Sequence, residues 1–336
     1  MPSQPIRDDE YSKNAAASPA MNEDACIESL RNALKQWFSG HPNMNCYLAV
    51  DPSQRHLISN TADDSEPFAS LPRADVIVDH EAFPEANRPY LLKLDLSSPT
   101  GMQALALSTR IAFEDRRPES MAEGLGQRIG GWLASCASLD EVAAHWSRLV
   151  LQRDNNGRAF ALRFYDSRAL ALLWTALSQA QRQAMLGPVS AWHVLDAGAR
   201  PKVHLASSDS RSNFMLSADQ WREVHWHGVV NRALALYART CAHQPHPAEI
   251  EAAVDAATRA EQYGLTDRDD QIAFIGHALA WHPHFDLHPK VMHLLQTRAA
   301  DEFYTVEVGR LSADEIENIQ KGSWYQPLTF ATPHQD

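Results

Sequence analysis

Histidine is the residue type here whose number and placement invite chemistry, because neutral imidazoles close together in sequence are common ligands for zinc and related metals. The chain carries 16 histidines. Two groups stand out: His225 and His227 in the run HWHG, and His282, His284, His288 and His293 further on. Their spacing argues against a metal site. Two ligands on one helix face need a separation of three or four residues, as in HExxH, whereas His225 and His227 are two apart and lack the partnering glutamate. His284 and His288 have the right separation, but Pro283 and Pro289 punctuate that stretch as loop. These side chains read as surface and capping histidines, so no metal ligand and no cofactor is expected.

Other chemistries find less support. There is no GxSxG elbow and no phosphate loop ending in Lys. Gly124-Leu125-Gly126 with Gly130-Gly131 comes nearest, and reads as close helix packing or a loop. Cys26, Cys46, Cys136 and Cys241 are scattered without a CxxC pair, which suits reduced thiols in the cytoplasm rather than a disulfide framework. Asp8-Asp9 and Asp269-Asp270 read as solvated charge. No catalytic residue is assigned, and a histidine-based metal hydrolase stands as the runner-up. A better-placed set of polar groups is Arg163, Tyr165, Asp166 and Arg168, which offer planar donors and an aromatic face of the kind that protein interfaces use.

The elements that position that set are written into residues 158–194, RAFALRFYDSRALALLWTALSQAQRQAMLGPVSAWHV. From Ala159 to Tyr165 the side chains alternate, which predicts a strand with Phe160, Leu162 and Phe164 on one face and Ala161, Arg163 and Tyr165 on the other. Asp166 or Ser167 can cap the helix that follows, whose Leu170, Leu173, Trp174 and Leu177 recur at helical spacing. Ser178 with Gln181 forms a capping box for a second helix, closed by Gly187 and Pro188. Val189 to Leu195, with Trp192, reads as the next strand. Phe164, Leu170 and Leu173 are core candidates.

This segment resembles the type VI secretion effector chaperones, the Tap/Tec adaptors first catalogued as a domain of unknown function. The likeness rests on Leu162 to Arg168, the Leu-rich helix, and Gly187-Pro188 before Val189-Ser190-Ala191-Trp192. Family members usually carry an aromatic where this chain has Leu186, and often Pro where it has Ser167. A weaker likeness covers Asn45 to Leu96, and another covers Phe285-Asp286-Leu287-His288-Pro289. The resemblance implies a non-enzymatic cytoplasmic adaptor. Such a protein binds a cognate toxic effector, usually by the effector's N-terminal region, and loads it onto the VgrG spike or its PAAR tip.

Around that core, periodicity predicts a helix over 25–38, strands over 46–51, 75–78 and 90–96, and a helical segment over 121–135. A helix capped by Ser138 and Glu141 leads to a hairpin turning at Asp154-Asn155-Asn156-Gly157. Beyond a polar stretch the pattern is helical throughout, with starts at Ser217, Pro247, Thr266 and Ser312. The expected fold is α+β or α/β, a mixed-sheet lobe with flanking helices followed by a small helical bundle. Its expected parts are a flexible acidic tail over 1–24, the α/β adaptor domain over 25–196, a linker over 197–213, the helical lobe over 214–322 and a tail over 323–336. A groove between the two lobes is the expected holding surface, with Trp221, Trp226, Tyr237 and Trp281 as candidate aromatics.

Composition narrows the partners. A net charge of -12 and a pI near 5.7 disfavour a binder of phosphate backbones, which needs clustered Lys and Arg. No apolar run reaches the length of a bilayer span, and residues 1–24 lack the apolar core of a secretory signal, so neither nucleic acid nor membrane insertion is expected. A helical interaction module of another kind is the third alternative.

Overall fold

The structure is a computed structural model that describes residues 23–53, 55–57, 66–81, 83–207, 213–299 and 301–326. Most of the tail expected over 1–24, and positions 327–336 of the tail expected over 323–336, lie outside the described residues.

The first lobe is built from α1 (Glu23–Ser39), β1 (Asn45–Val50), α2 (Glu66–Ala69), β2 (Arg73–Asp75), β3 (Tyr90–Leu94), α3 (Pro99–Glu114), α4 (Pro118–Glu123) and β4 (Ile129–Ser135). It continues with α5 (Leu139–Val150), β5 (Leu151–Arg153), β6 (Ala159–Ala161), α6 (Ser167–Ala176), α7 (Gln179–Leu186), β7 (Ala191–Leu195) and β8 (Pro201–Leu205). Six of the strands form one sheet in the order β2-β3-β1-β4-β7-β8, and β5 pairs with β6 in a separate hairpin. Every pairing is antiparallel, so where a mixed sheet was expected the fold is α+β.

Strand alternation divides the core. Along β1, Cys46, Leu48 and Val50 face one layer, where Leu30, Leu34 and Phe38 of α1 and Leu105 and Ile111 of α3 pack. Tyr47 and Ala49 face the other, with Val142 and Trp146 of α5, Leu170 and Leu173 of α6, Met185 of α7 and Trp192 of β7. Because helices cover both faces, the central strands are apolar on both sides, and this explains an error of the sequence reading. Residues 121–135 were expected to be helical, but α4 takes only their start and Ile129–Ser135 is β4, buried at every position between β1 and β7. With no polar face to alternate against and two glycines inside it, that strand has no period-2 signature. Helix α3, which the sequence reading left unassigned, starts where Ser98 Oγ accepts from Gly101 N at 3.1 Å, with Pro99 in the first turn.

The stretch 197–213, read as a polar linker, contributes β8. Val203 and Leu205 on this edge strand are 47% and 60% exposed, so its apolar residues follow no core face.

The helical region comprises α8 (Ala218–Cys241), α9 (Pro247–Gln262), α10 (Arg268–Ala280), α11 (Pro289–Thr297), α12 (Tyr304–Val308) and α13 (Ala313–Lys321). Capping boxes start α8 at Ser217/Gln220 and α13 at Ser312/Glu315. Helix α10 starts one residue later than read, with Asp267 accepting from the amides of Asp269 and Asp270. Ala253, Ala256, Ala257 and Ala260 give α9 a small-residue face in a core shared with Val229, Val230, Ala233 and Leu234 of α8 and Phe274 of α10. Leu172 of α6 joins the same core and ties the helices to the sheet lobe. Among the described residues no helix is long and apolar enough to cross a membrane.

Candidate functional site: a cleft between the sheet lobe and the helices

Residues 162–168 turn rather than extend. Strand β6 ends at Ala161, and the Arg163 carbonyl accepts from Asp166 N at 3.0 Å, which closes a tight turn. The expected strand over 159–165 is therefore cut short, and Phe164 and Tyr165 do not lie on opposite faces. Both side chains enter the core: Phe164 meets Trp146 edge-on at 5.1 Å, and Tyr165 is fully enclosed. Burial, with Asp51 beside it, pushes the Tyr165 phenol up.

Charged groups brace this turn. Arg163 Nη2 donates to Asp51 Oδ2 at 2.6 Å and to Ser53 Oγ at 2.9 Å, linking the turn to the end of β1. Asp166 caps α6 by accepting from Arg168 N at 3.0 Å, and the Arg168 guanidinium grips the same carboxylate at 3.1 and 2.7 Å. Burial acts to raise the Asp166 carboxyl, but Arg168 and then Arg163 outweigh it and hold it at about 2.

Beneath them lies Arg116, fully buried, which sequence reasoning missed. It donates to the carbonyls of Ala112 at 2.6 Å, Leu195 at 2.8 Å and Asp196 at 3.0 Å, and to Ser167 Oγ. Ser167 Oγ in turn donates to Gln127 Oε1 at 2.6 Å. One guanidinium thus ties the end of α3, the start of α6 and the end of β7, and burial lowers its pKa to about 10. An arginine at the end of an apolar helix carries no sequence signal of burial.

Where this turn meets α8, a cleft opens as two neighbouring cavities. The more polar part, about 310 Å³, is walled by Arg163, Asp166, Arg168, His227, Asn231, Arg232 and Arg268 over an apolar floor that includes Leu162, Phe164, Leu173 and Val224. The apolar part, about 620 Å³, runs between α6, the β7–β8 hairpin, α8 and α9, past Leu172, Trp174, His204, Leu234, Ile250 and Val254. Arg168 and Asn231 border both parts. Arg232 is committed to the Ala122 carbonyl at 2.6 Å, whereas the exposed Arg268 has no hydrogen-bond or ion-pair partner among the described residues. Burial lowers His227 to about 4, so near neutral pH it lines the cleft uncharged.

Of the residues singled out in sequence, the structure brings Arg163, Asp166 and Arg168 to the cleft, with Phe164 and Leu173 also in its wall, buries Tyr165, Trp192 and Trp221, and leaves Trp226, Tyr237 and Trp281 half-buried away from it. Trp192 is buried, its indole donating to the Gly130 carbonyl at 3.1 Å, and Trp221 is buried beside Phe160. Trp226 packs on the helical core, Tyr237 donates to Glu249 Oε1 at 3.0 Å, and Trp281 stacks on His277 at 3.9 Å. None of these aromatics lines the cleft; their indoles and rings serve packing and internal hydrogen bonds. Leu170 and Leu173 are core as expected. Gly187 takes φ +53, where a Cβ would lie 2.2 Å from His145 Nε2, so this helix end favours glycine.

The histidine set scatters. His225 is exposed beside Phe160, His288 is buried against Asn318 Oδ1 at 3.1 Å, and His284 stacks on Tyr325 at 4.8 Å. Among the described residues, none of this set belongs to a group of three convergent metal-ligating side chains.

No curated protein and no solved structure matches the chain. Residues 46–184, from β1 through most of α7 and including the turn that walls the cleft, match the model of the family described as a domain of unknown function (DUF4123).

Proposed function

We propose that this chain is a type VI secretion adaptor that holds a cognate toxic effector in the cleft between its sheet lobe and its helices. It delivers that effector to the VgrG spike or its PAAR tip. The family matched over residues 46–184 is associated with type VI adaptor function, which supports the reading. The observation that carries it is the pair of neighbouring cavities, one arginine-lined and one apolar, with Arg168 and Asn231 in the walls of both.

Such a surface suits a segment with one charged and one apolar stretch. Burying roughly 1,000 Å² of apolar surface yields on the order of 25 kcal/mol gross. Lost rigid-body freedom, side-chain ordering and desolvation cancel most of it, and the remaining modest affinity permits release at the spike. Hand-off in this scheme runs on competition between interfaces and requires no bond made or broken by the adaptor.

Co-purification from the native host with the effector and spike protein encoded nearby tests the proposal. The adaptor reading predicts a complex that Arg268→Glu weakens while the protein stays folded. Turnover of a small molecule by the purified chain, or indifference to every neighbouring effector, would contradict it.

A further inference from the structure

At the corner between α8 and α9 the chain gathers a second set of groups. Helix α8 ends at Cys241, and Ala242 follows with φ +54, a left-handed conformation that turns the backbone sharply. The His243 and His246 rings then come to 4.9 Å of each other, and Glu249 enters from the first turn of α9. One ligand atom from each of these three residues lies within 4.8 Å of the other two.

The hydrogen bonds fix what the His243 ring and the Glu249 carboxylate can do. His243 Nδ1 is 2.9 Å from the Gln244 carbonyl, which only accepts, so Nδ1 carries the proton and Nε2 presents its lone pair. That lone pair faces Glu249 Oε1 at 3.8 Å. A cation between these two acceptors, either a proton on the imidazole or a metal, would turn their mutual repulsion into attraction. The carboxylate is itself held: Tyr237 Oη donates to Oε1 at 3.0 Å and His246 N donates to Oε2 at 2.7 Å. A backbone carbonyl orienting the ligand imidazole and a hydroxyl orienting the ligand carboxylate are the usual supports of a metal-binding set. The corner is anchored as well, because Arg200 Nη2 donates to the Pro245 carbonyl at 3.3 Å.

We propose that His243, His246 and Glu249 form a binding site for a zinc-class divalent cation, with a fourth position open to water. Two imidazoles and one carboxylate suit a borderline ion such as Zn²⁺ and disfavour Mg²⁺ or Ca²⁺, which prefer oxygen ligands. The cation would pin the first turn of α9 to the end of α8. The site is independent of the histidines flagged by their crowding in sequence. Its signal there is H-x₂-H-x₂-E broken by Pro245 and Pro247, a loop followed by a helix start rather than one helix face.

The test is calorimetric titration of the full chain, stripped with chelator, with zinc chloride, together with the visible spectrum of the cobalt(II) form. The expected result is one zinc per chain and a four-coordinate cobalt spectrum. Stoichiometric uptake should be lost in His243→Ala and in His246→Ala, the second of which alters an exposed ring and leaves the fold intact by circular dichroism. Tyr237→Phe, which removes only the supporting hydroxyl, should weaken binding about tenfold. A double His282→Ala/His284→Ala variant should bind as the parent does. Absence of uptake by the parent, uptake unchanged in His246→Ala, or uptake lost in the His282/His284 variant would each overturn the proposal.

Discussion

The carbonyl oxygen of Tyr165 occupies the space that a side chain on Gly130 would need: a Cβ built there lies 2.2 Å from it. The turn that walls the cleft is seated directly on the central strand, backbone against backbone, and only glycine permits that approach. Gly130→Ala should therefore cost about 1–3 kcal/mol through overpacking, read as a lower urea midpoint at unchanged slope. The same substitution at Gly276, inside α10 with nothing within 4 Å of its added Cβ, should be neutral or stabilising by up to about 1 kcal/mol.

Arg116 supports the other side of the same turn. Arg116→Met keeps much of the volume but removes the donors to the carbonyls of Ala112, Leu195 and Asp196. A loss of roughly 2–4 kcal/mol is expected, measured by chemical denaturation. Arg116→Lys should recover only part of it, because an ammonium cannot reproduce the planar fork.

Acid should destabilise the fold in two separate windows. Burial holds His193, His204, His227 and His277 at about 4, below the ordinary value of 6.5, so the unfolded chain binds more protons than the folded one in that range. Their contribution is present above pH 6.5 and is lost as pH falls through 4. Asp166, held at about 2 against an ordinary 3.8, adds a second loss below pH 4. Unfolding midpoints from pH 7 to about pH 2 read both windows directly. His277→Gln, which removes one half-buried imidazole hydrogen-bonded to Tyr304 at 2.6 Å, should flatten the upper window.

Arg268 lines the polar part of the cleft, exposed at the start of α10, with no hydrogen-bond or ion-pair partner among the described residues. Arg268→Glu should leave the melting temperature unchanged and slow effector association roughly tenfold, with less effect at high salt. Surface plasmon resonance at two salt concentrations reads both.

How much of this was legible in sequence depends on whether a residue's environment leaves a local trace. Caps do: Ser138, Ser178, Ser217 and Ser312 all start helices with the partners read for them, because a capping box is complete within four residues. Strand β4 does not, since its burial on both faces comes from helices distant in sequence. The cleft shows the same division. Arg163, Asp166 and Arg168 stood out by type and spacing, whereas Arg116, Asn231 and Arg268 reach their positions through packing of α3, α8 and α10 that no local pattern encodes. Tyr165 and Trp192 were read as candidate contact residues because they are aromatic, and the tight turn and the close approach at Gly130 enclose both.

Hydrogen exchange on the full chain, with and without the effector encoded beside it, tests cargo holding in the cleft most directly. Slower exchange is expected along α6, along α8 around Asn231 and along the first half of α9, with none on α1 or α3 across the sheet. Protection confined to α1, α3 or the β2 edge, with the cleft exchanging as in the free chain, would contradict it.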